Sequence, residues 1–309
     1  YSFNMYFCHS KNNNNMSLIS SKILVPIGFS NQSIIAFDQA CNFAKLNNSK
    51  IFLLSVIEER NAMQSLFLDD NSHELKKMVH IKLTGLAKEF TDKYNLEIEV
   101  MVSQGKIYSQ INEIAEMIAA DLIIMGTTGS PTQKVKRFMG SNAERVVRLA
   151  KCPVMTIKGA TIKGACRNII LPLDLEKETK EKVTHAIKYA RQWQATIHLI
   201  SVVLRNNTIV RNKLVKNLAQ VESFIKNTGI SCTAILLEGD QKQNLGDFIF
   251  DYEKKFNDDI IIIMTKKEEL SLSNNISVTA RYIINNSPIP VMNIRPKERK
   301  HITGPTTAF

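Results

Sequence analysis

The sequence holds no long apolar run, no paired-cysteine motif and few aromatic residues, and each lack removes a class of protein. No stretch reaches the ~18 apolar residues of a membrane-spanning helix. The opening segment, Tyr1 to Asn15, is rich in asparagine and lacks the apolar core of a secretory signal. It reads as a disordered extension, with Met16 the more natural start of the folded part, and the expected compartment is the cytoplasm. Cys8, Cys41, Cys152, Cys166 and Cys232 form no C-x-x-C pair, so neither a zinc site nor a disulfide framework is expected. Cys41 and Cys152 fall in apolar contexts and read as small buried hydrophobes. The histidines give no H-E-x-x-H pattern, and His73 and His80 lack a carboxylate or thiol partner for a metal. Neither a G-x-x-x-x-G-K-[ST] loop nor a G-x-S-x-G elbow occurs.

Aromatics make up 7% of the 309 residues, and basic residues do not alternate with them as a single-strand-binding groove would require. The formal charge is +11, but residues 16–160 carry +3 and residues 161–309 carry +7, of which Arg295 to Lys300 supplies +3. A diffuse excess of this kind reads as solvated surface, so nucleic acid is not an expected partner. The basic tail and the asparagine-rich start read as solvated ends.

What the chain has in abundance is Ile, Leu, Val, Ala and Met, within a hydrophobic content of 44%. That mix suits parallel strands covered on both faces, and the strands come twice. Lys22-Ile-Leu-Val-Pro-Ile-Gly28 and Arg167-Asn-Ile-Ile-Leu-Pro-Leu-Asp174 are short apolar runs ending near proline. A helix follows each, capped by Ser30 or Asn31 in the first copy and running from Glu176 to Trp193 in the second. Lys50–Ile57 and Ala195–Val203 match as second strands. Long amphipathic helices follow at about 72–94 and 208–228, then strands Leu96–Ser103 and Ile230–Leu237, then helices at about 107–119 and 242–256. Ala120-Asp-Leu-Ile-Ile-Met-Gly126 and Asp258-Asp-Ile-Ile-Ile-Ile-Met264 are fourth strands entered by aspartate. Helices at 140–150 and 276–286 lead to Cys152-Pro-Val-Met-Thr-Ile157 and Ile289-Pro-Val-Met-Asn-Ile294.

The expected fold is therefore α/β: two tandem copies of a doubly wound, five-stranded parallel-sheet domain with right-handed crossovers. The expected division is an extension over 1–20, domain one over 21–158, a linker over 159–166, domain two over 167–296 and a basic tail over 297–309. Two such copies can pair as an intramolecular pseudo-dimer, with Val154–Ile157 facing Val291–Ile294, the linker raising their effective concentration. Further association into a homo-oligomer, or with a protein partner, is left open by the residues. Trp193, the only tryptophan, reads as a packing residue between elements, and the strand methionines Met125, Met155, Met264 and Met292 read as core.

In open parallel sheets ligands bind beyond the carboxyl ends of the strands, where strand order reverses. In the first copy the loop after the fourth strand carries Gly126, Thr127 and Gly129, and Gly140-Ser141-Asn142 opens the next helix. Glycines let backbone approach a ligand closely, and a helix N-terminus suits an anion. Thr127, Ser141 and Asn142 add donors; Lys134, Lys136 and Arg137 add positive charge. The equivalent loop of the second copy, Thr265 to Asn275, has no glycine, and Glu268 and Glu269 would repel phosphate.

The duplicated pattern resembles the tandem members of the universal stress protein family over residues 20–158 and 167–296. The resemblance is carried by Lys22–Pro26, Ala120–Gly126, the glycine loop and Cys152–Ile157. It implies a Rossmann-like domain that pairs through its last strand, and a family divided into ATP-binding and non-binding groups. The binding motif is Gly, two residues, Gly, nine residues, then Gly and Ser or Thr. Gly126, Gly129, Gly140 and Ser141 match it, with ten residues instead of nine between Gly129 and Gly140. The resemblance also implies an aspartate at the end of the first strand, where this chain has Ile27-Gly28, and an adenine site at the backbone around Val56. The second copy has Asp174 at the strand-one position but no glycine loop. ATP with Mg is thus the candidate ligand of domain one, and domain two is expected to bind none and to act structurally. The function expected is a non-catalytic stress-response module; a ligand-free scaffold is the alternative, and a slow nucleotide hydrolase a third reading.

Overall fold

A computed structural model describes residues 21–58, 72–127, 139–158, 166–174, 179–203, 208–239, 244–257, 259–265 and 276–296. The expected extension, the tail and all of the linker but Cys166 lie outside the described residues. The first half runs β1 (Lys22–Pro26), α1 (Asn31–Asn47), β2 (Lys50–Ile57), α2 (Ser72–Tyr94), β3 (Ile98–Gln104), α3 (Ile107–Met117), β4 (Leu122–Gly126), α4 (Ser141–Leu149) and β5 (Val154–Ile157). The second half repeats it: β6 (Asn168–Pro172), α5 (Thr179–Trp193), β7 (Thr196–Val203), α6 (Thr208–Asn227), β8 (Cys232–Glu238), α7 (Leu245–Phe256), β9 (Ile260–Met264), α8 (Val278–Asn286) and β10 (Val291–Ile294).

Several helix starts differ from the sequence reading by a few residues, because local hydrogen bonds fix them. Helix α8 begins at Val278 rather than 276, since the Ser277 hydroxyl accepts from the Ala280 N–H at 3.2 Å. Helix α7 begins at Leu245 rather than 242, where the Asn244 N–H donates to the Asp247 carboxylate at 3.3 Å.

The strands lie in one ten-stranded sheet, in the order β3-β2-β1-β4-β5-β10-β9-β6-β7-β8. Each half is parallel throughout, and the halves meet in one antiparallel pair: Val291 opposite Thr156, Met292 opposite Met155 and Asn293 opposite Val154. Alternation along each strand divides the core. Ile23 and Val25 of β1 pack under α1 and α2, in a layer that continues beneath α5 and α6. Leu24 points the other way, into a layer closed by α3, α4, α7 and α8.

The aspartates that enter β4 and β9 do structural work. The Asp121 N–H donates to the Lys22 carbonyl at 2.9 Å, and its carboxylate accepts from the Lys22 N–H at 3.0 Å. Asp259 does the same at β6, accepting from the Arg167 and Asn168 N–H groups at 2.6 and 2.8 Å. Each clamp fixes the fourth strand beside the first at the end away from the ligand loops. Trp193 packs its ring 5.2 Å from that of Phe43, so the residue read as inter-element packing joins α5 to α1 across the seam between the halves.

Cys41, Cys152, Cys166 and Cys232 are all free thiols, and all but Cys152 are fully buried. Burial is the main cause that raises three of these thiols above the ordinary value: Cys152 to about 11 and Cys232 to about 12, while Cys41, also beside Asp38, goes higher still. Since the thiolate is the reactive form, iodoacetamide at pH 8 is expected to leave these three unmodified in the folded chain. Mass spectrometry of the native and urea-unfolded protein checks this; native alkylation matching the unfolded rate would contradict the burial.

Candidate functional site

In the first half, strand order reverses between β1 and β4, and the carboxyl ends of these strands open onto a cavity of about 420 Å³. Its floor comes from β1 and β2: Pro26, Ile27, Gly28, Leu54 and Val56. One wall is the end of β4 with the start of α4, namely Gly126, Thr127, Gly140, Ser141 and Asn142. The structure thus gathers eight of the nine residues expected here around one space; the ninth, Gly129, lies outside the described residues, as do Lys134, Lys136 and Arg137. It adds Ser33 from α1, Glu58 beyond β2, and Ile107 and Ile111 from α3. The two isoleucines were legible as an i, i+4 pair on the inward face of α3. Ser33 and Glu58 carried no sequence signal beyond their position near strand ends.

The two wall glycines have different causes. A Cβ on Gly126 would stand 2.8 Å from the backbone oxygen of Gln32, so glycine is required there for α1 to pack against the end of β4. Packing is thus a cause for Gly126 beyond the close ligand approach expected from the sequence. Gly140 is the opposite case. Its φ is −66°, which any residue can adopt, and a Cβ would find only the Thr127 oxygen at 3.5 Å, an ordinary contact. Neither its conformation nor packing among the described residues demands glycine at 140.

Gly140 is also the N-cap of α4, and among the described residues no side chain caps that helix. The amides of its first turn therefore keep their donor capacity toward the cavity, at the positive end of the helix. The loop end is held from behind by backbone: Gly140 N–H donates to the Thr127 carbonyl at 2.8 Å, and Thr127 N–H to the Ile157 carbonyl at 3.1 Å. Next to Gly28, Phe29 takes a left-handed φ of 54°, uncommon for a bulky residue, and the Lys82 ammonium sits 4.4 Å from its ring.

The second half has a cavity of about 470 Å³ at the same place, lined by Pro172, Leu173 and Asp174 of the β6 end, Ile200 and Val202 of β7, and Ser277 and Thr279 beside α8. Two features that suit phosphate in the first half are altered here. Met264 stands where the first half has Gly126, so a side chain replaces open backbone. Ser277 stands where it has Gly140, and the serine hydroxyl accepts from the α8 amide of Ala280 that would otherwise face a ligand. Val210 and Leu214 of α6 add further apolar wall.

Residues 20–158 match the family model described as the universal stress protein family. One universal stress protein of Methanocaldococcus jannaschii is 29% identical over 148 residues, covering 44% of this chain and 81% of that protein. A second from the same organism is 28% identical over 160 residues, covering 46% and 98%. Among solved structures, a universal stress protein from Archaeoglobus fulgidus superposes with a TM-score of 0.70 at 19% identity, over 90% of this chain and 97% of that one. That likeness spans both halves and is one of fold. Over residues 20–158 the chain is thus similar to the universal stress protein family, and its second half repeats the same Rossmann-like fold in the same polypeptide.

Proposed function

We propose that the chain is a cytoplasmic, non-catalytic nucleotide-binding module of the stress response, taking one Mg-ATP in its first half and none in its second. The observation that carries this reading is Gly140: a glycine that neither backbone conformation nor packing among the described residues requires, capping an open helix end on a cavity of about 420 Å³. That size falls within the roughly 300–1,000 Å³ of small-molecule pockets. The phosphates lie against Gly140, Ser141 and Asn142, where the α4 amides and dipole favour anionic charge. The base lies toward Leu54, Val56, Ile107 and Ile111, whose side chains give an apolar floor. Among the described lining residues the only titratable one is Glu58. Among the described lining residues no histidine, cysteine or lysine is present to serve in the nucleophile–base pair of a dedicated hydrolase, which supports a sensor over an enzyme. Four free thiols fit a reducing compartment, and no helix among the described residues is long and apolar enough to cross a membrane.

Calorimetric titration with Mg-ATP tests the reading, using the parent chain and Gly140→Ala. The parent is expected to bind at one site per chain. The alanine variant is expected to bind about tenfold more weakly, while its stability stays within about 1 kcal/mol of the parent, the order of a changed N-cap. No heat at millimolar Mg-ATP from the parent would favour a ligand-free scaffold, in which both halves serve only to present surface.

A further inference from the structure

The end of the glycine loop is held by the other half of the chain. Met139, immediately before Gly140, is buried, and its N–H donates to the Asn285 side-chain oxygen at 2.7 Å. Asn285 belongs to α8 of the second half, is 6% exposed, and its backbone carbonyl accepts from the Lys158 ammonium just beyond β5. One turn earlier on α8, Arg281 pairs with Glu144 in the first turns of α4 at 2.6 Å. Two residues of α8 thus reach across the seam, one to the loop that precedes α4 and one to α4 itself.

The position is not satisfied in the same way on the other side. Arg148 lies six residues before Val154, as Asn285 lies six before Val291. The buried Nε of Arg148 has no hydrogen-bond partner among the described residues. The seam is therefore chemically one-sided: the half with the open helix cap receives a side-chain acceptor from its neighbour.

We propose that Asn285 is a positioning residue of the first-half site, supplied by the second half, and that it fixes Met139 so that the Gly140 backbone and α4 amides face the bound phosphate. The role rests on the nucleotide reading of that site. A backbone N–H can only donate, so the contact needs an acceptor at 285 and nothing more specific. Without one, the buried N–H must find water, and the loop end moves with it.

Mg-ATP titration of the full chain is paired with hydrogen exchange of the peptide spanning Met139 to Asn142. The variants are Asn285→Ala, Asn285→Asp and, as a seam control, Asn293→Ala; Asn293 bonds the Val154 carbonyl at 3.3 Å within the β5–β10 pair. Asn285→Ala is expected to bind about tenfold more weakly, equivalent to about 1.4 kcal/mol, and to exchange faster at that peptide. Asn285→Asp, which keeps an acceptor, is expected to stay within threefold, and Asn293→Ala within twofold. Parent-like affinity in Asn285→Ala overturns the role while leaving the nucleotide reading intact. An equal loss in Asn293→Ala overturns it too, since the effect would then be general loosening of the seam. A parent that takes up no Mg-ATP removes the nucleotide reading, and the role with it.

Discussion

Gly126→Val is expected to lower the stability of the first half by about 2–3 kcal/mol, the upper range for forcing methyl groups into a packed site. It is also expected to abolish Mg-ATP uptake. The added Cβ would meet the Gln32 oxygen at 2.8 Å and its carbonyl carbon at 2.9 Å. Both are backbone atoms of α1, so no side-chain rotation can relieve the contact; the helix start itself must move. That start carries Ser33, whose N–H is capped by the Ser30 hydroxyl at 3.2 Å and which lines the cavity. Stability and ligand uptake should therefore fall together, in contrast to Gly140→Ala, where uptake falls alone. At roughly 2–4 °C per kcal/mol for a unit of 150–250 residues, the thermal midpoint drops by roughly 5–10 °C. A variant melting within a degree of the parent would show that α1 does not press on β4 as the geometry requires.

Met292→Asp is expected to have the largest effect on the architecture. Met292 is fully buried in β10, between β9 on one side and Met155 of β5 on the other. A carboxylate there is uncompensated, and charges left in that state cost about 3–5 kcal/mol. The seam pair is short, three facing residues, so the strain falls on the join between the halves. Small-angle scattering should report a larger radius of gyration, and urea denaturation a lower midpoint. Unchanged values of both would mean that β5 and β10 contribute little to holding the halves together.

The sequence made the sheet legible for a local reason. Runs such as Ile-Leu-Val-Pro and Ile-Ile-Ile-Ile-Met are buried on both faces, so their apolar character is unbroken and marks strands directly. The repeated Pro-Val-Met-x-Ile marked the last strand of each half. Most of the first-half site was legible too, because its residues sit at strand ends and at one helix start, positions that follow from element order. What the sequence hid was cause and distance. Gly126 was found, but the neighbour that demands it is Gln32, visible only once α1 is packed. Asn285 lies 146 residues from Met139, and no periodicity or motif signals a single hydrogen bond between a loop end and a remote helix. The second half was read as lacking a nucleotide loop, yet the cavity of about 470 Å³ there follows from strand geometry and survives the loss of the glycines.

The antiparallel join of β5 and β10 also sets what this molecule is free to become. In a pair of identical chains related by a twofold axis, every contact across the axis is made twice, and each residue must suit both of its environments. When the axis runs through one polypeptide that constraint disappears. Arg148 and Asn285 can differ, as can Gly140 and Ser277, without either change being copied onto the other subunit. The ratio of the two kinds of half is fixed at one to one, and dilution cannot separate them or let like halves exchange. Divergence between the two halves is thereby written into a single reading frame.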